Sequence, residues 1–289
     1  MLGIIFSLLA LLSWGFGDFS IQRATRIFGD FKTLFYIGIV GVIAIFPFIY
    51  SELNAFFHTP HLLILLSLTG VVIFFAALFD FEALKRGKLA IIEPILAIEL
   101  PITVALSALF WGEKLSLPQL FLVTVTFIGI TLSVTTHHAH LHYHKRLLER
   151  GVMFAGIGAI VMGLVNFLVG ASSQSTSPLL TIWFTNLIFT VFCVVYIVAK
   201  GQFKSIWTDI KYHPRILMAE SILDNMAWIF YAYAASFIAI SVATTISESY
   251  IAFTVLLGVF INKEKLQRHQ IFGIIIAIAS VLIISYISG

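Results

Sequence analysis

Ten apolar runs, each close to twenty residues long and joined by short polar connections, limit this chain to very few folds. They lie near 2–21, 33–50, 62–84, 89–110, 118–136, 151–171, 178–199, 215–236, 240–261 and 269–287. A helix needs about 20 apolar residues to cross the hydrocarbon of a bilayer. With 60% of its residues hydrophobic and 11% charged, the chain carries more apolar surface than one soluble core could bury. The runs are therefore read as membrane spans, and the expected fold class is an all-α integral membrane protein with ten transmembrane helices. The first run has no basic segment before it and is read as a retained helix rather than a signal peptide. Turn residues such as Pro60, Gly87, Pro118, Gly201 and Pro214 mark the connections. No connection is long enough to form a soluble domain, and the single Cys193 excludes an internal disulfide.

Orientation follows from the placement of Lys and Arg. Alternate connections hold Arg23, Arg26 and Lys32; Lys85, Arg86 and Lys88; Lys145, Arg146 and Arg150; Lys200, Lys204, Lys211 and Arg215; and Lys263, Lys265 and Arg268. Of the 17 basic residues only Lys114 falls on the other side. This bias predicts a multi-pass protein of the cell membrane with both termini outside the cytoplasm. It also supports an even number of spans.

The chain resembles itself at an offset of 151 residues. Leu106 pairs with Leu257, Glu113 with Glu264, Lys114 with Lys265, Leu115 with Leu266, Gln119 with Gln270 and Phe121 with Phe272. Near the start of each half, Gly15-Phe16-Gly17-Asp18-Phe19 is echoed by Gly163-Leu164-Val165-Asn166-Phe167. The expected organisation is a first repeat over 1–136, a His-rich connection over 137–150 and a second repeat over 151–289. Five helices is an odd number, so the second repeat enters the membrane inverted. Inverted repeats are a recurring device of secondary transporters, although duplication also produces channels and scaffolds.

The Trp14-Gly15 turn, the run Phe110-Trp111-Gly112-Glu113-Lys114-Leu115-Ser116 followed by Gln119, and its echo Asn262-Lys263-Glu264-Lys265-Leu266 with Gln270 resemble the EamA branch of the drug/metabolite transporter superfamily. The likeness covers essentially the whole chain. Lys263 departs from the glycine that the pattern places before Glu264. The resemblance implies ten helices and alternating access around a cavity lined by the first, third and fourth helices of each half. It also implies cytoplasmic termini, where the charges say the reverse; the charges are followed. Drugs, amino acids, sugars and nucleotide sugars are all carried within this family, so membership leaves the substrate open. Glu113 and Glu264 each stand beside a Lys at a helix end and are read as caps for the next helix rather than as transport residues.

Ionisable residues inside spans are costly and therefore informative. Asp18 lies in the first span, Asp80 and Glu82 in the third, Glu93 and Glu99 in the fourth, Glu220 and Asp224 in the eighth and Glu248 in the ninth. The sixth contributes the neutral Asn166, which matches Asp18 in the repeat, and no Lys or Arg lies deep in any span. Glu220, Asp224, Trp228 and Tyr231 follow one helical stripe, as do Ser241, Thr245 and Glu248. Pro94 and Pro101 disturb the helix around Glu93 and Glu99 and free backbone carbonyls. By depth, Glu99, Asp224 and Glu248 fall nearest the bilayer centre. They are expected to form a substrate or proton site, because a carboxylate away from water can carry a proton near neutral pH. Asp18, Glu93 and Glu220 would line an inward vestibule, while Asp80 and Glu82 would pair with Lys85 and Arg86. Trp14, Trp228, Tyr231, Tyr233 and Tyr250 are candidates to wall the pocket, since aromatic faces attract organic cations; the same residue types also anchor helices at the interface.

The candidate substrate-binding or proton-coupling residues are thus Asp18, Glu99, Asn166, Asp224, Trp228, Tyr231, Thr245 and Glu248. The tract His137-His138-Ala139-His140-Leu141-His142-Tyr143-His144 is read as a solvated linker, with metal binding as the alternative. There is no phosphate loop, and Gly156-Ile157-Gly158 is read as helix packing. No catalytic constellation, cofactor or metal site is expected, and the basic connections are topological signals, not a nucleic-acid patch. The partners are a small-molecule substrate and the lipid bilayer, with monomer and homodimer both open. The expected function is secondary transport of a small organic solute: an amino acid, an organic cation or a related metabolite or drug, exported with possible proton coupling. The alternatives are an uncoupled facilitator for a sugar or neutral metabolite, and a channel or non-transporting scaffold.

Overall fold

Hydrocarbon offers no hydrogen bonds, so a spanning chain must satisfy its backbone within helices. The computed structural model, which describes residues 1–86, 92, 95–134, 145–262 and 266–288, is helical nearly throughout. In chain order the helices are α1 (Leu2–Phe28), α2 (Asp30–Ile49), α3 (Leu53–Phe57), α4 (Pro60–Arg86), α5 (Glu99–Phe110), α6 (Leu117–Val134), α7 (Lys145–Ser175), α8 (Pro178–Ala199), α9 (Phe203–Tyr212), α10 (Pro214–Phe237), α11 (Ile240–Glu248), α12 (Tyr250–Asn262) and α13 (Arg268–Ser288). Among the described residues seven helices, α1, α2, α4, α6, α7, α8 and α13, are long and apolar enough to cross a membrane.

The boundaries follow local chemistry. A lone Gly29 at φ 80° separates α1 from α2, a conformation that a side chain would resist. Ser177 caps α8 by accepting from Leu180 N, with Pro178 at the first helical position. Ser116 and Gln119 form a capping box at the start of α6: Ser116 N donates to Gln119 Oε1 at 2.9 Å and Gln119 N to Ser116 Oγ at 3.4 Å.

Three sequence expectations change. The ninth run, 240–261, is broken at Ser249 into α11 and α12. The connection expected over 137–150 is already helical from Lys145, because Lys-Arg-Leu-Leu-Glu-Arg is built from good helix formers. Two short helices, α3 and α9, occupy stretches read as plain connections. The histidine tract, Glu93, Pro94 and the Lys263-Glu264-Lys265 echo lie outside the described residues.

Packing is paired across the chain. The broadest contacts are α1 on α10, α4 on α7, α6 on α13 and α2 on α8. Exchanging each first-half helix for its second-half counterpart turns the α1/α10 contact into α7/α4 and leaves α2/α8 and α6/α13 in place. The repeated glutamines obey the same exchange. Gln119 Nε2 donates to Ser288 Oγ at the end of α13 (3.0 Å), and Gln270 Nε2 to Ser133 O at the end of α6 (3.1 Å). One large apolar cluster joins α1, α2, α4, α7, α8, α10 and α11; another ties α1, α6, α11 and α13. Outward faces carry exposed Phe48, Ile64, Val195 and Leu282, while Ser7, Thr69, Thr126 and Ser280 are fully buried.

Where α6 crosses α13 the two backbones touch. A Cβ on Gly129 would fall 2.7 Å from Ala277 N, and one on Gly273 would fall 2.5 Å from Ser133 N and 2.7 Å from Gly129 O. Gly158 approaches the α4 backbone at ordinary contact distance, 3.5 Å from Asp80 N, but Gly156 faces open space and takes no part in packing. Overpacking of rigid backbone costs about 1–3 kcal/mol, so Gly273→Ala is expected to lower the melting midpoint of the purified protein in detergent. Gly156→Ala, with room for its methyl, is expected to leave that midpoint unchanged or raise it slightly.

Candidate functional site

Polar side chains that cannot face hydrocarbon converge on a central cavity. Five carboxylates line it: Asp18 from α1, Asp80 from α4, Glu99 from α5, Asp224 from α10 and Glu248 from α11. Asn166 of α7 and Asn186 of α8 add amides, and Trp14, Trp228, Tyr250, Phe81 and Phe189 supply aromatic surface. No Lys or Arg is among the described lining residues.

Glu99 and Glu248 sit where helices begin and end. Glu99 is the first residue of α5 and Glu248 the last of α11. Turn-like bonds precede α5, from Ile98 N to Ile95 O and from Leu100 N to Ala97 O. Pro101 falls in the first turn of α5 and has no N–H to donate four residues back, and turns at Ala97 and Ile98 interrupt the fourth run just before it; the helix is thus disturbed around Glu99, as expected.

Glu248 accepts a hydrogen bond from Asn166 Nδ2 at 3.0 Å, joining α11 to α7. Tyr231 Oη donates to Asn166 O at 2.8 Å and lies 2.8 Å from Thr244 Oγ1. It is fully buried behind the cavity surface, packed against Trp14 and Trp228. Trp14 meets Trp228 edge-on at 5.1 Å and Tyr250 at 5.9 Å. On the opposite wall Asn186 Nδ2 donates to Asn225 Oδ1, and Asn225 Nδ2 bonds Ile37 O and Ser221 O, each at 2.8 Å. This amide chain connects α8, α10 and α2.

Of the residues nominated by sequence, Asp18, Glu99, Asn166, Asp224, Trp228 and Glu248 line the cavity, and Tyr231 and Thr245 are not among its lining. Thr245 is fully buried and donates to Ser241 O within its own helix at 2.6 Å. Glu220 shares the Asp224 stripe but lies off the cavity, buried, with neither carboxylate oxygen partnered among the described residues. Asp80, read from sequence as a surface ion pair, lines the cavity instead, and its buried Oδ1 has no hydrogen-bond partner among the described residues. Glu82 does pair, with Lys85 at 3.4 Å and with Arg86. Asn186 carried no sequence signal, because a single amide in a long apolar run looks like many others. Among the described residues no three of His, Cys, Asp and Glu are grouped to hold a metal ion.

Glu113 is a cap, as its neighbours suggested, but not for the helix that follows it. Its carboxylate reaches the N-terminus of α11, accepting from Ile240 N, from Ser241 N at 3.0 Å and from Ser241 Oγ at 2.7 Å. It thereby satisfies two of the free N–H groups of α11 and complements the helix dipole. Glu113→Ala is expected to cost about 0.5–2 kcal/mol, read as a lower melting midpoint. Glu113→Gln, which can still accept one bond, should fall between it and the parent.

Comparison with known proteins agrees with this architecture. A profile of the EamA-like transporter family matches residues 1–135 and again 149–286. Uncharacterized protein MJ1333.1 of Methanocaldococcus jannaschii is 32% identical over 129 residues, which are 45% of this chain and 93% of that one. That relative therefore has the length of one half. A protein known from its crystal structure superposes with a TM-score of 0.73 at 14% identity, covering 99% of this chain and 96% of the other; this likeness speaks to the fold alone. With the family profile matched twice along its length, the chain belongs to the EamA-like transporter family and is a multi-pass membrane transporter of the drug/metabolite transporter type.

Proposed function

We propose that this protein is a secondary transporter that moves a small organic solute bearing an amine or another cationic centre by alternating access around the central cavity. The observation that carries the reading is the convergence of five carboxylates and five aromatic residues, from both halves of the chain, with no Lys or Arg among the described lining residues. Such a surface favours a cation electrostatically, and the faces of Trp14 and Trp228 add cation–π attraction. An amino acid also fits if its carboxylate takes the amides of Asn166 and Asn186.

The proposed architecture is ten spans as two inverted five-helix repeats, over 1–136 and 151–289. In it, α10, α5 with the residues before it, and α11 with α12 complete the spans beyond the seven apolar ones. The crosswise pairing of α1/α10 with α4/α7 supports this arrangement. Broken helices near the membrane midplane are where transporters of this kind hold substrates and coupling ions, and Glu99 and Glu248 both stand at such ends. Proton exchange for substrate is assigned to Glu248, Asp224 and Glu99, with Asp18, Asn166 and Trp228 contacting the solute. Tyr231 and Thr245 act by position, holding Asn166 and the α11 backbone. The placement of Lys and Arg supports a cell-membrane protein with both termini outside the cytoplasm, and export is the proposed direction.

Proton release on ligand addition tests the reading. Purified protein in weakly buffered detergent is titrated with organic cations, amino acids and sugars while a pH indicator is followed. Release is expected with amine ligands and is expected to be lost in Glu248→Gln or Asp224→Asn. Amine binding without release, unchanged in both variants, overturns proton exchange. Sugar binding alone replaces the cation reading with an uncoupled facilitator.

A further inference from the structure

The connection between α8 and α10 contains α9, Phe203–Tyr212, and its two sides differ in kind. One side is fastened to the protein. Asp209 Oδ2 accepts from Lys32 Nζ at 2.6 Å and from Tyr36 Oη at 2.9 Å, and Lys32 Nζ also reaches Ser205 Oγ at 3.4 Å. Ile206 is buried in a cluster with Ala24, Phe28, Tyr36, Ile197 and Leu217.

The other side has no partner within the chain's described residues that would bury it. At about 100° per residue, Phe203, Trp207 and Ile210 fall within one arc of the helix. They are 55%, 73% and 41% exposed. Lys204 and Lys211 fall together along one border of that arc, both exposed, while Asp209 and Ser205 lie away from it. With Lys200 and Arg215 at the two ends, the segment holds four basic residues within sixteen.

An arc of Phe, Trp and Ile left in water would be an exposed apolar patch of the kind that marks a contact surface. Here the contact is specified by position and charge. The segment follows α8 with only Lys200, Gly201 and Gln202 between them, and α8 is a membrane-crossing helix. Phe203 thus starts at the level of the headgroups. A short helix with Trp and Phe on one face and Lys along its edge is the pattern of helices that lie in the interfacial plane and bind anionic lipid.

We propose that α9 is an interfacial helix that seats Phe203, Trp207 and Ile210 in the headgroup–acyl boundary and binds anionic phospholipid headgroups through Lys204 and Lys211. The ion pair of Asp209 with Lys32 fixes which face is presented, so the bound lipid also braces the start of α2. This surface is separate from the central cavity, and its assignment does not depend on which solute the cavity takes.

The test uses the full chain reconstituted in mixed phosphatidylcholine and phosphatidylglycerol vesicles, in which one lipid or the other carries brominated acyl chains. The fluorescence of Trp207 is isolated by subtracting that of Trp207→Phe. Quenching is expected from both brominated lipids, and several-fold more from brominated phosphatidylglycerol. In Lys204→Gln/Lys211→Gln the preference should vanish while quenching itself remains. High salt on the parent protein should weaken the preference in the same way, which keeps the test decisive if the double variant folds poorly. Equal quenching by the two lipids overturns the anionic-lipid assignment. No quenching by either overturns the interfacial helix: acrylamide quenching would then show a face in water, and resistance to acrylamide a face covered by a second copy of the chain.

Discussion

A bilayer supplies no hydrogen bonds, and the rest of this structure follows from that constraint. Many hydroxyls in the interior bond a carbonyl of their own helix. Ser7 donates to Gly3 O, Thr69 to Leu65 O and Thr126 to Leu122 O, each one turn back along its helix. The larger polar groups cannot be served so locally and must be gathered. Asn186, Asn225 and Ile37 O make one chain of bonds, and Asn166, Glu248 and Tyr231 make another. The cavity is where these chains meet five of the span carboxylates, while Glu220 stays buried away from it.

Duplication solves the packing problem twice with the same parts. The glutamine that completes a helix start in each half also reaches the end of the partner helix, Gln119 toward Ser288 and Gln270 toward Ser133. A cavity between two halves packed this way draws its walls from both. The departures from the repeat are as informative as the matches. Asn166 stands where the first half has Asp18, and this neutral side chain can donate to Glu248, as a carboxylate at that position would not without a proton.

The seven long apolar helices were legible because bilayer thickness sets one helix length. Several side-chain placements were not, and the reasons are geometric. Asp80 was grouped with Lys85 by nearness in sequence, but five residues along a helix carries a side chain toward a different face. Glu82 stands three and four residues from Lys85 and Arg86, which are helical neighbours, and forms the ion pairs. The stripe of Glu220, Asp224, Trp228 and Tyr231 is a real helical face, but α10 packs against α1, α2, α7, α8 and α11. One stripe therefore meets several surroundings along its length, and only its middle reaches the cavity. Thr245 shares a face with Glu248, yet a threonine hydroxyl in a helix can be satisfied by the carbonyl four residues back, and here it is. The α9 helix escaped notice because ten mixed residues between two long apolar runs resemble an ordinary connection.

The ninth run shows why a broken helix and a buried acid belong together. An unbroken helix would leave Glu248 projecting from a rigid rod, its carboxylate fixed by the rod's rotation alone. Ending α11 at Glu248 makes the acid the terminus of a nine-residue element held from outside at both ends. Glu113 from the first half holds the start, through Ile240 and Ser241, and Asn166 from α7 holds the end. Tyr231 then bonds Asn166 O and lies against Thr244, so the same small group of side chains fixes the helix to α7 and α10. A nine-residue helix is too short to be stable on its own in water, and its position here depends on those side chains more than on its length. The motif around Glu113 is thus a structural support for a cavity acid contributed by the opposite half, which explains why it stands at a helix end and away from the cavity.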